Sequence, residues 1–341
     1  MVIDPHGEPV VQQPVLSGLT PAAIFLVATV EEGGAGIVRA VLAELVDLSE
    51  EVAALAPDGA LKVVAGIGAE AYDSVIGGES PSRLHVLEPV SGRRHSFPST
   101  PGDLLFHIRA QRMDLCYEIA YRLTTALAGA VTWVDEVHGF AYFDQRNVMG
   151  FVDGTANPEG TDADEAVFGD GAGTYVVVQK YLHDLAAWHT LSVAEQERVI
   201  GRTKVEDIEF ADDVKPTNSH VGATELVEAD GTEREIVRQN MPFGSPGSGE
   251  FGTYFIGYAA DPSVIERMLV NMFVGRPEGN YDRILDFSTA VTGTLFYVPS
   301  AAELAALAAP EPPAAEAIID LPTDDSLGIG SLKHLLGKAV L

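Results

Sequence analysis

Three short stretches carry side chains able to do chemistry. In Gly150-Phe151-Val152-Asp153-Gly154-Thr155-Ala156-Asn157-Pro158 an acid sits in a turn bounded by Gly and Pro. A plain surface Asp-Gly turn is the bland reading, but Phe151 and Val152 pull the segment inward. In Lys215-Pro216-Thr217-Asn218-Ser219-His220-Val221-Gly222, His220 leaves a polar loop and enters an apolar run. A single imidazole is more often packed or hydrogen-bonded than a ligand. The residues alone do not lift His220 above His107 or His138 among the nine histidines. In Glu235-Ile236-Val237-Arg238-Gln239-Asn240, strand alternation puts Ile236, Arg238 and Asn240 on one face and Val237 and Gln239 on the other. A cation and an amide on one face suit a polar pocket, or else an exposed face paired with nearby acids.

The elements that must position these residues alternate between strand-like and helix-like, and the two halves echo each other. In the first half, 22–30, 61–67 and 104–108 read as strands, with another starting at 131–134. Residues 37–55 and 112–129 read as helices. In the second, Met113, Cys116, Ile119, Ala120, Leu123 and Leu127 recur at spacings of 3 and 4. The order β-α-β-β-α-β matches a ferredoxin-like unit. The second half repeats it. Strands are expected at 175–179, 235–240, 254–258 and 295–298. Ser192 with Glu195 forms a capping box before a helix to Ile200. Asp261-Pro262 starts another helix, with Asp as cap and Pro at its first position. No Gly-x-Gly-x-x-Gly or Walker loop joins a strand to a helix. The expected fold class is α+β, two ferredoxin-like domains with antiparallel sheets, at 1–145 and 146–309. A Pro-rich acidic linker, 310–325, and a terminal apolar peptide, 326–341, follow.

Composition narrows the function classes. The chain has 341 residues, 46% of them hydrophobic, and a net charge of −29. Such a surface repels phosphate backbones and anionic lipid, so neither nucleic acid nor a membrane is expected as partner. One cysteine, Cys116, leaves no internal disulfide, no Cys-rich metal site and no Cys-x-x-Cys-His haem tether. The first residues carry Asp4 and Glu8 without a basic region and apolar stretch, so a cytoplasmic location is expected.

Taken together and in order, the motifs resemble the dye-decolorising peroxidases, most closely their bacterial class B. The resemblance covers about residues 10–300. It rests on Gly150-Phe151-Val152-Asp153-Gly154-Thr155, Ile200-Gly201-Arg202-Thr203-Lys204, Asn218-Ser219-His220, Val237-Arg238 through Phe243-Gly244, and Tyr281-Asp282-Arg283-Ile284-Leu285-Asp286-Phe287-Ser288. It implies the two-domain ferredoxin-like fold, related to the chlorite dismutase-like dimeric α/β barrel, with non-covalent haem b in the second domain. It makes His220 the proximal iron ligand, supported by an acid of the late helix. Asp282 and Asp286 are the candidates, four apart on one helical face, with Asp282 preferred. Asp153, Arg238 and Asn240 resemble the distal residues, and Arg202 the arginine that pairs with a haem propionate. The implied activity is reduction of hydrogen peroxide and oxidation of dyes, phenolics or similar small donors through a ferryl intermediate, in a homo-oligomer (dimer to hexamer). Where some members carry Glu before the Asn-Pro, this chain has Ala156, a departure that counts against a manganese site there.

The tail Ser326-Leu327-Gly328-Ile329-Gly330-Ser331-Leu332-Lys333 is similar to the cargo-loading peptide of peroxidases packaged in encapsulin nanocompartments. Leu327, Ile329 and Leu332 would be its anchors on the shell protein. Three other readings compete. One is a haem-modifying or iron-releasing enzyme on the same fold. Another is a non-enzymatic haem-binding module. The third is a non-haem metal site using His220 and nearby acids.

Overall fold

The computed structural model describes residues 11–154, 157–169 and 171–308. The linker 310–325 and the tail 326–341, with Leu327, Ile329 and Leu332, lie outside the described residues. Among the described residues the strands are, in chain order, β1 Ala22–Val30, β2 Lys62–Gly68, β3 Val90–Ser91, β4 Ser96–Phe97, β5 Leu104–Ala110, β6 Val131–Phe140, β7 Thr174–His183, β8 Val237–Arg238, β9 Met241–Ser245, β10 Glu250–Ala259, β11 Ser288–Ala290 and β12 Thr294–Val298.

β3 and β4 pair only with each other, and the rest form one sheet in the order β6-β1-β5-β2-β12-β7-β10-β8. β9 also lies on β10, and β11 on β7. In each half the spatial order is fourth, first, third, second strand, the ferredoxin-like arrangement expected. The halves join where β2 meets β12, Ile67 opposite Tyr297 and Gly68 opposite Phe296.

Because side chains alternate along a strand, β1 feeds two cores. Ile24, Leu26 and Ala28 face the helices, with Val38, Ile119 and Leu123. Ala23, Phe25 and Val27 face the space between the half-sheets, with Val176, Ile256 and Phe296. The strand is buried on both faces, hence its unbroken apolar sequence. Across that inner space β6 approaches β9 so closely that a Cβ on Gly139 would lie 2.6 Å from that of Met241.

The helices follow the sequence with one exception. Met113–Ala126 buries Leu115, Cys116, Ile119, Ala120 and Leu123. Val193–Ile200 begins with the Ser192–Glu195 capping box. Pro262–Phe273 begins with Asp261 accepting from the Ser263 N–H at 3.0 Å. The single helix expected over 37–55 is two, Ala35–Ala43 and Leu45–Ala53, because Glu44 (φ −95°, ψ 3°) steps out of helical geometry between them. No helix among the described residues is long and apolar enough to cross a membrane.

The strand expected at 235–240 is shorter, ending as β8 at Arg238. The ladder with β10 nonetheless keeps its register from Arg238, opposite Gly257, to Met241, opposite Tyr254. At the break the Asn240 side chain takes the place of a backbone acceptor, with Oδ1 receiving the Ile256 N–H at 3.2 Å.

Candidate active site

A cavity of about 490 Å³ opens between the helix-facing side of β7 and β10 and the helices of the second half. It brings together His220, Asp153, Arg238, Asn240 and Arg202. Asp282 stands directly behind His220.

His220 opens the short helix His220–Thr224, whose start is fixed by Ser219 accepting from the Gly222 N–H at 3.2 Å. Its Nδ1–H donates to Asp282 Oδ2 at 2.7 Å. The Asp282 side chain has no solvent exposure, and its Oδ1 accepts from the Ile284 N–H at 2.9 Å. The Asp282 N–H donates to the Met272 carbonyl, and the Arg283 N–H to the Asn218 carbonyl. The two loops bearing the couple are thus tied to each other and to helix Pro262–Phe273. With Nδ1 committed, Nε2 is the ring nitrogen left for the cavity.

Asp282 and Asp286 do not share a helical face. The turn Arg283–Asp286 is a 3₁₀ helix that begins after Asp282, its N-cap. Asp286 therefore points elsewhere, to His95 Nε2 at 3.2 Å and the Tyr281 hydroxyl at 2.9 Å.

On the other side, Asn240 Nδ2 donates to both oxygens of Asp153, at 3.2 and 3.4 Å. The Ile256 N–H orients the Asn240 amide so that its donors face the acid. Asn157 pins Arg238 from both sides. Its Oδ1 accepts from the Arg238 N–H at 2.9 Å, and its Nδ2 donates to the Arg238 carbonyl at 2.7 Å. The expected alternation holds, since Ile236, Arg238 and Asn240 line the cavity while Val237 packs between the half-sheets.

Gln239 also faces away from the cavity. Its amide donates to the carbonyls of Val15 (2.8 Å) and Ser17 (2.9 Å) and accepts from buried Arg109. Arg109 also donates to Ser17 and Pro14. An N-terminal strap, through Arg109 and Gln239, thus braces the segment that carries Arg238 and Asn240.

Arg202 lies at the cavity rim, with its guanidinium donating to Asp207 Oδ1 (2.9 Å), the Asp207 carbonyl (2.8 Å) and Glu209 Oε2 (2.9 Å). Beside it, Lys215 stays charged. Burial works against its ammonium, but Glu209, Asp212 and Glu225 outweigh that and push its pKa up. On the floor His183 bonds Ser288 Oγ (2.7 Å) and Thr253 Oγ1 (2.9 Å), and desolvation pulls its pKa down to about 4. Next to it, burial pushes the Tyr181 phenol up, and the charge of Asp282 adds to the effect.

Asn157, Gln239, Arg109 and His183 were not singled out by sequence. An amide facing away from a pocket leaves no mark in composition or spacing, and His183 is one of nine histidines.

The cavity suits a large planar group. Ile265, Met268, Leu269 and Met272 of one helix and Phe255 of β10 give an apolar wall. An imidazole nitrogen, an acid, an amide and a guanidinium also meet this space. A bare metal site finds less support, since no group of three or more His, Cys, Asp or Glu side chains is gathered for one among the described residues. A carboxylate-backed imidazole is a common arrangement for a metal-ligating histidine, and with an apolar slot beside it the site fits a histidine-ligated haem.

The comparisons narrow the class. The family model for the N-terminal part of Dyp-type peroxidases matches residues 12–141, and that for their C-terminal part residues 144–303. The chain belongs to this family, the dye-decolorising peroxidases. It is 53% identical over 339 residues to a dye-decolorising peroxidase of Rhodococcus erythropolis, covering 96% of this chain and 98% of that one. It is 52% identical to that of Mycobacterium tuberculosis, covering 94% and 96%. Among solved structures, DyPB of Rhodococcus jostii superposes with a TM-score of 0.85 at 51% identity, covering 87% of this chain and 98% of that chain. The encapsulated Dyp-type peroxidase of Mycobacterium smegmatis superposes with a TM-score of 0.86 at 53% identity, covering 89% and 99%. Several matching structures are variants of the Rhodococcus jostii protein in complex with heme.

Proposed function

We propose that this chain binds haem b non-covalently in the 490 Å³ cavity and works there as a hydrogen peroxide-dependent peroxidase of dyes, phenolics and similar small donors. The observation that carries the reading is the 2.7 Å bond from His220 Nδ1 to the fully buried Asp282. It fixes the imidazole's tautomer and orientation and leaves Nε2 as the nitrogen that would hold the iron of a bound haem. Haem bound there would supply the two-electron redox chemistry between donors and peroxide.

The chain's own residues do the rest. Asp153, held by Asn240, accepts a proton from one peroxide oxygen and returns it to the departing one. Arg238, permanently cationic, stabilises the negative charge that develops as the O–O bond breaks. Asn240 keeps the acid aimed and offers hydrogen-bond donors to peroxide. Arg202 lies at the rim, where an acidic group of the cofactor would compete with Asp207 and Glu209 for its guanidinium.

Every residue that lines the cavity falls within 146–309, the span expected for the second domain. A peroxidase relative is encapsulated, and Leu327, Ile329 and Leu332 supply the apolar anchors for docking inside an encapsulin shell. The protein would then be a cytoplasmic homo-oligomer within that compartment.

The test is a visible spectrum of the purified chain with haem, followed by peroxide and a phenolic donor. A strong Soret band and donor oxidation are expected. No band after haem addition would overturn the reading. Deleting residues 326–341 should abolish co-purification with the shell and leave turnover intact, and undiminished loading would overturn the docking role.

A further inference from the structure

The space between the half-sheets holds a polar couple that the peroxide-handling residues do not use. His107 of β5 and Tyr258 of β10 are both wholly buried, with His107 Nδ1 and the Tyr258 hydroxyl 2.8 Å apart. They come from different halves of the chain, and no ladder joins β5 to β10. Phe25 stacks on His107 with centroids 4.8 Å apart, and Tyr254 stacks on Phe25 at 4.2 Å. The four rings form a column inside the protein.

The state of each partner follows from its surroundings. Burial, helped by the charge of Arg109, holds the His107 pKa well below its ordinary value, so the ring is neutral. Burial pushes the Tyr258 phenol up, so its proton is in place, although Arg109 works the other way. A neutral imidazole has one bare nitrogen, and Nδ1 accepts the phenol proton. His107 Nε2 is buried with no hydrogen-bond partner. Burying two polar groups and leaving a third ring atom unpaired is costly, and Phe at both places would fill the same space.

The couple also sits close to the chemistry. In the β8–β10 ladder Gly257 is opposite Arg238 and Tyr258 opposite Val237. Neighbouring strands run about 4.8 Å apart. Tyr258 thus stands on the reverse face of the sheet, one residue and one strand from the guanidinium-bearing position.

We propose that Tyr258 and His107 form a buried one-electron redox site that takes up oxidising equivalents when peroxide reacts with no donor at hand. The proposal rests on the haem peroxidase reading above. Tyr258 gives one electron to the peroxide-oxidised centre, which is reduced by one electron. The phenol O–H bond breaks, and an Nδ1–H bond forms along the existing hydrogen bond. Tyr258 is then a neutral phenoxyl radical and His107 an imidazolium. An oxidised phenol is a far stronger acid than an imidazolium, so even this reluctant base receives the proton. When a donor returns the electron, the proton moves back.

The test uses the full-length, haem-loaded protein, mixed with one equivalent of hydrogen peroxide without donor, freeze-quenched and examined by electron paramagnetic resonance. A tyrosyl signal is expected, lost in Tyr258→Phe. In protein made with isotopically labelled histidine the wild-type radical should couple to an imidazole nitrogen. Among the described tyrosines only Tyr258 hydrogen-bonds a histidine, so this second readout decides the matter even if the variant does not fold. An undiminished signal in Tyr258→Phe, or a wild-type sample without imidazole coupling, would overturn the proposal. If the Soret band does not respond to peroxide at all, the peroxidase reading fails first and the couple fails with it.

Discussion

Asp282 accepts from the His220 ring at 2.7 Å while its own side chain is sealed from solvent. The proton of Nδ1 is therefore shared with a group that water cannot reach, and the imidazole takes on anionic character. Asp282→Asn keeps the shape and removes the charge. The variant should lower peroxide turnover about 10–100-fold, the usual cost of losing such a partner. It should also raise the reduction potential of the bound iron, which a spectroelectrochemical titration would read. An unchanged potential would remove Asp282 from this role.

In the proposed mechanism Arg238 carries the largest share of the peroxide step, because its permanent charge would stabilise the departing oxygen as it becomes negative. Arg238→Leu should slow the reaction with peroxide roughly 100-fold or more. Asp153→Ala and Asn240→Ala should slow it less, since water can replace a proton acceptor more easily than a fixed cation. Stopped-flow mixing with peroxide in the absence of donor measures all three.

Gln239 touches nothing in the cavity yet braces both neighbours that line it. Gln239→Leu leaves a buried Arg109 N–H without its acceptor and the Val15 carbonyl without its donor, and the Ser17 carbonyl keeps only its bond from Arg109. The cost should be about 1–3 kcal/mol in urea unfolding. The shifted segment should also weaken binding of cyanide to the haem-loaded protein, while the proximal side stays intact. A stability loss with unchanged cyanide affinity would confine Gln239 to the fold.

His183 makes stability depend on pH in a stated direction. Desolvation lowers its pKa from 6.5 to about 4 in the folded chain. Between those values the unfolded chain binds the proton and the folded chain does not. Stability is therefore full above about pH 6.5 and falls as pH drops toward 4, by on the order of 3 kcal/mol for this group. The lowered pKa of His107 acts in the same direction. Urea midpoints at pH 7 and pH 4.5 should differ, and His183→Gln should shrink the difference.

Much of this architecture is written locally. The runs of β1 and β5, the Ser192–Glu195 box and the Asp261-Pro262 start fix their elements by capping and alternation alone. Alternation also put Arg238 and Asn240 on one face, and the structure keeps it even where β8 stops. What the residues alone could not single out depends on distant contacts. His220 looked like His107 until Asp282, 62 residues on, closed behind it. The spacing of Asp282 and Asp286 suggested a shared face, but that needs an α-helix, and a 3₁₀ turn capped by Asp282 removes it. Asn157, Gln239 and the strap at 14–17 act through backbone groups, which no side-chain pattern announces.

We propose that His220 holds the iron of a haem in the cavity. The most direct test is the visible and electron paramagnetic resonance spectrum of the His220→Ala variant loaded with haem, without and with added imidazole. The expected result is loss of the wild-type Soret position and iron signal, restored when imidazole fills the space left by the side chain. A variant that keeps the wild-type spectrum and its response to peroxide without imidazole would contradict the claim.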